Sequence, residues 1–128
     1  MLAIDTNVVV RYVTRDHPEQ SARTKRLIDD NDVLVATTVL LEVEWVLRSA
    51  YGFNRAEIAA ALGKFAGLPR VTLDDPELAA KAVQWLAEGM DFADALHLAG
   101  TAHCEEFVSF DRRLAAAAGR IGRQVRAP

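Results

Sequence analysis

Short apolar runs alternate with longer segments of helical periodicity from end to end, and this constrains the fold more than any other feature. Leu2-Ala3-Ile4, Val33-Leu34-Val35-Ala36, Val71-Thr72-Leu73 and Phe107-Val108-Ser109-Phe110 have the length and character of buried strands. A weaker strand is expected near Gln124-Val125-Arg126. Between them the spacing predicts helices over about 7–15, 18–30, 38–51, 54–65, 76–88 and 91–103, and a short one after Asp111. The punctuation agrees. Pro18 and Pro76 suit first helical turns, Thr37 or Thr38 can cap the third helix, and Asn54 and Asp75 can cap later ones. Gly52 and Gly89 stand where helices end. Strand–helix alternation of this kind predicts an α/β fold: a three-layer α/β/α sandwich around a roughly five-stranded, mostly parallel sheet.

The chain has 128 residues, enough for one domain with its own core, and 1–128 is read as a single unit. No linker, repeat or low-complexity stretch divides it. No apolar run approaches the roughly 20 residues of a membrane span. The start lacks the basic and apolar regions of a secretion signal. The single cysteine, Cys104, cannot form an internal disulfide; a cytoplasmic location and a buried thiol are expected.

The net charge of −3 does not favour a nucleic-acid partner. Its distribution is more informative. The segment from Arg112 holds five arginines (112, 113, 120, 123 and 126) and no acid, while the first 111 residues hold ten basic residues against eighteen acids. An acidic body with a basic end suits carboxylates gathered around a cation beside a phosphate backbone. It equally suits a solvated surface.

In open α/β sheets, ligands sit outside the carboxyl ends of the strands. Asp5 and Asp111 each follow an apolar strand directly. Glu42 lies at the edge of an apolar face drawn through Val39, Val43, Val46, Leu47 and Ala50, one turn inside the third helix. Glu44 falls opposite that face and has a surface explanation as the i,i+4 partner of Arg48. Asp91 and Asp94 share a face in a first helical turn, with Asp91 the natural N-cap. Asp94 is less easily explained by propensity, because Asp is a poor helix former beyond the cap. The small apolar face of Ala95, Leu98, Ala99 and Ala102 is expected to pack on the sheet. Carboxylates that converge repel one another and stay ionised only beside a cation. Oxygen donors select Mg2+ or Mn2+ over zinc, and such a site suits phosphodiester hydrolysis.

Taken in order, these residues resemble the PIN-domain ribonucleases, and within them the VapC toxins of toxin–antitoxin pairs. Asp5-Thr6-Asn7 is similar to the family's opening motif, Glu42 to its second acid, Asp91-Phe92-Ala93-Asp94 to the segment bearing the third, and Ser109-Phe110-Asp111 to the last hydroxyl-x-acid element. The resemblance spans the chain. It implies an Mg2+- or Mn2+-dependent endoribonuclease that is held inactive by a cognate VapB antitoxin and forms homodimers. It implies Asp5 and Asp94 as principal metal ligands, with Glu42, Asp111 and a possible Asp91 secondary. Thr6 and Ser109 would orient ligands or substrate, and Arg112 and Arg113 would meet the RNA backbone. Serine at 109 departs from the more usual threonine but keeps the hydroxyl.

Other motifs carry no chemistry. His97 and His103 fall on different helix faces. No phosphate-binding glycine loop is present. Trp45 lies off the apolar stripe and is the best candidate for an interface. A dehalogenase-type domain with Asp5 as nucleophile wants a second acid close behind it and a late lysine. Thr6 and Asn7 follow instead, and no lysine occurs after Lys81. A PIN fold that only binds RNA or a protein is the remaining alternative.

Overall fold

The computed structural model describes all 128 residues. Five strands and seven helices run in the order β1 (Leu2–Ala3), α1 (Thr6–Thr14), α2 (Pro18–Asp30), β2 (Val33–Val35), α3 (Thr37–Ser49), α4 (Arg55–Ala66), β3 (Val71–Leu73), α5 (Pro76–Ala87), α6 (Phe92–Gly100), β4 (Phe107–Val108), α7 (Arg112–Arg120) and β5 (Val125–Arg126). Every strand pairing is parallel. No helix is long and apolar enough to cross a membrane.

The expected single five-stranded sheet is divided. β1, β2 and β3 form one ladder in that order, and β4 and β5 form a second. β1 and β4 each stand at the edge of their own ladder and do not pair with one another. Each has two residues and offers only one or two ladder bonds, worth about 1 kcal/mol net apiece. Their side chains add little: Leu2 and Val108 remain exposed. In β2, by contrast, Val33 and Val35 are fully buried and Leu34 is half-buried, as for a central strand covered on both faces.

Twenty-five apolar residues form one continuous core. α3 contributes Leu40, Val43 and Leu47, α4 contributes Ile58, Leu62 and Phe65, and α6 contributes Phe92, Ala95, Leu96 and Leu98. α6 lies mainly against α5 rather than on the sheet. Gly100 permits this, since a Cβ there would stand 3.3 Å from Leu78 Cδ1. α6 also ends at Gly100, leaving Ala102 and His103 outside it.

Local capping follows the sequence at most ends. Asn54 and Glu57 form a reciprocal capping box on α4, and Asp75 caps α5 ahead of Pro76. Gly52 and Gly89 adopt the positive φ their positions require, at 67° and 118°. α3 differs. Its N-cap is Ala36, not a threonine, and no side chain of its own caps it. Asp74, from the end of β3, accepts from the Thr37 N–H at 3.0 Å and the Thr37 hydroxyl at 2.5 Å.

Candidate active site

Three of the acids singled out above are helix N-caps. Asp5 Oδ1 accepts from the Thr6 N–H at 2.7 Å at the start of α1. Asp91 Oδ2 accepts from the Asp94 N–H at 3.1 Å at the start of α6. Asp111 Oδ1 accepts from the N–H groups of Arg113 and Leu114 at 2.9 and 3.1 Å at the start of α7. Helix N-termini carry unsatisfied N–H groups and partial positive charge, so an acid following a strand is held there twice over. Each cap commits one carboxylate oxygen and leaves the other without a protein partner.

Asp91, Asp94 and Asp111 line one cavity of about 860 Å3. Asp94 sits half-buried in the first turn of α6. Its carboxyl is raised above the usual 3.8, first by burial and then by the charges of Asp91 and Asp111, with His97 partly opposing. Ser109 Oγ accepts from the Asp111 N–H at 2.9 Å, tying the hydroxyl to the acid two residues on.

Asp5 and Glu42 are not on that wall. Asp5 stands exposed at the end of β1, and Glu42 is exposed on α3. Beside Asp5, Thr6 is buried, and its Oγ1 has no hydrogen-bond partner. Arg113 lines the cavity, whereas Arg112 does not.

Glu44 is the chief correction. It does pair with Arg48, at 2.9 Å, but it is only 3 % exposed and lines the cavity. The face α3 buries runs through Leu40, Val43 and Leu47, rotated from the one drawn through Val39, Val46 and Ala50. On the true face Glu44 falls at the border and Glu42 on the far side. The 3-and-4 spacing of Leu40, Val43 and Leu47 was the signal that would have found it. Arg48 is held protonated chiefly by its bond to Glu44, with Asp91 adding to the effect.

Arg55, which was not singled out, and Arg120, from the basic C-terminal segment, also line the cavity. Arg55 donates to the carbonyls of Leu86 and Met90, at 3.1 and 2.6 Å, and so fastens the turn that delivers Asp91. His97 is exposed on α6, and Cys104 is exposed rather than buried, since it falls in the turn after that helix instead of on a packed face.

Carboxylate oxygens are the right donors for a hard divalent cation. The Asp94 carboxyl is raised first by burial and then by the charges of Asp91 and Asp111, and a cation would relieve the second effect. The donor chemistry therefore fits, although no three acidic, histidine or cysteine side chains are spaced to bind one ion as a set.

Parallel strands alternating with helices, and acids gathered at one cavity, define the class: an α/β domain with an acid-bearing cleft. The particular family follows from the sequence. The PIN-domain model matches residues 2–120, and the chain belongs to the PIN-domain family. Members of that family are in general nucleases and typically use divalent metal ions. No curated protein and no solved structure matches the chain.

Proposed function

We propose that this PIN domain is an Mg2+- or Mn2+-dependent endoribonuclease of the VapC type, held inactive by a cognate VapB-type antitoxin and working as a homodimer in the cytoplasm. The observation that carries the reading is the meeting of Asp91, Asp94 and Asp111 at one cavity, with the Asp94 carboxyl raised by burial and then by its two neighbours. In this reading Asp94 and Asp5 are the principal metal ligands, with Asp111 and Asp91 completing the set; Glu42, on the far side of α3, stays outside it. A bound cation would lower the pKa of a water and neutralise charge on the phosphate oxygens.

The chain's own residues prepare the site. The α7 N–H groups hold Asp111 Oδ1, so its other oxygen is presented in a fixed direction. Ser109 steadies the backbone at Asp111. Thr6, with a free hydroxyl beside Asp5, is suited to orient a ligand or substrate. Arg113, which lines the cavity, offers charge to an RNA backbone.

A second reading, a PIN fold that binds RNA or a protein without cutting, is favoured by one observation: the acids are not spaced to hold an ion as a set. Labelled single-stranded RNA incubated with purified protein separates the two. The nuclease requires cleavage with Mg2+ or Mn2+ that stops with EDTA and with Asp5→Asn. RNA bound but left intact across a broad pool, with either metal, would establish the binding module. Co-purification of a small partner that blocks cleavage tests the antitoxin.

A further inference from the structure

Four arginines line the acid-bearing cavity: Arg48, Arg55, Arg113 and Arg120. Two are already committed. Arg48 is bonded to Glu44, and Arg55 to two backbone carbonyls. The side chains of Arg113 and Arg120 make no hydrogen bond or ion pair, although acids share the cavity with them. They lie seven residues apart on α7, two turns along one face and about 10 Å apart along the axis. Between them the cavity wall is Ala116 and Ala117, which leave the space between the guanidinium groups clear. Asp111, the N-cap of this helix, stands at its start.

We propose that the Arg113–Arg120 face of α7 grips two phosphates of an unpaired RNA strand, feeding the scissile phosphate to the acids at the start of the helix. The inference rests on the nuclease reading and adds to it which residues hold the substrate. Guanidinium groups without protein partners are matched to phosphate in charge and in bidentate geometry. A concave cavity of about 860 Å3 admits flexible, unstacked nucleotides. Phe53 and Asn54 line the same cavity. The ring offers a stacking surface to an unpaired base, and the Asn54 Nδ2, unused by the capping box, offers a donor to a base edge.

The test is binding by the intact protein in EDTA, where cleavage is silent. Fluorescence anisotropy with a labelled mixed-sequence single strand, its duplex and poly-glutamate would be followed across salt concentration. Arg113→Gln and Arg120→Gln are each expected to weaken single-strand binding several-fold and to lower the salt slope by ~0.7. Arg112→Gln, off the cavity wall, is expected to leave both unchanged. Glutamine is a good helix former and these positions are exposed, so the fold should survive, which circular dichroism checks. Wild-type binding that Arg113→Gln and Arg120→Gln leave intact would overturn this inference and spare the nuclease reading. Equal weakening by Arg112→Gln, or duplex bound as tightly as the single strand, would do the same. Wild type that binds no RNA would overturn both, and poly-glutamate bound in its place would give the face to an acidic protein surface.

Discussion

Asp94 is where burial and charge conflict most plainly. Its carboxylate is half-buried and shares the cavity with those of Asp91 and Asp111. Asp94→Asn removes that conflict and a proposed ligand together. It should reduce metal-dependent cleavage by more than ~100-fold while leaving the protein as stable or more stable in EDTA. Rate assays and urea melts on the same preparation check both halves, and full activity would show that another acid carries the site. Glu44 and Arg48 form an asymmetric pair, with Glu44 buried and Arg48 about half-exposed. Glu44→Leu leaves an arginine that can rehydrate, so it should be close to neutral. Arg48→Ala strands a buried carboxylate and should cost roughly 1–3 kcal/mol, less than for a fully buried pair because solvent screens the arginine. Equal losses in urea melts would contradict this account.

The helices owe their starts to acids from more than one source. α1, α6 and α7 are capped by the candidate site residues themselves, so the site and the secondary structure share the same carboxylates. α3 instead depends on Asp74, which belongs to the end of β3. Thr37's hydroxyl, and then its N–H, hold the Asp74 carboxyl below its usual 3.8 against the opposing effect of burial. A depressed carboxyl stabilises the fold at pH above its unfolded pKa, and that stability is lost as pH falls through the folded pKa. Asp74→Ala should therefore cost up to ~1 kcal/mol at neutral pH, reduced by solvent screening, and progressively less below about pH 4. A wild-type-minus-variant difference in stability that is flat from pH 7 to 3 would remove Asp74 from this role.

Across the whole molecule, two features point outward. One is the cavity, in which four acids and four arginines offset each other although the chain is net acidic. The other is Trp45, which is 57 % exposed on α3. Large aromatics exposed to this degree are typical anchors of protein interfaces. Under the proposed homodimer, Trp45→Glu should convert the dimer to a monomer of unchanged helicity. Light scattering on wild type and variant checks this, and an undisturbed dimer would place the interface elsewhere.

Leu2-Ala3, Val33-Leu34-Val35 and Val71-Thr72-Leu73 declared themselves as strands, and the caps at Asn54, Asp75 and Asp91 were legible, because hydrophobic period and capping are properties of neighbouring residues. The four motifs that resemble PIN domains could be read in order for the same reason. Other features depend on what stands beside an element. The face α3 buries, and with it the burial of Glu44 rather than Glu42, was decided by where α1, α4 and α6 pack. The cap on α3 came from Asp74, 37 residues away along the chain. The division of the sheet at β1 and β4 turned on whether two-residue edges could gain enough from pairing. Helix phase, cross-element caps and edge pairing are set by contacts distant in sequence, and only the tertiary structure decides them.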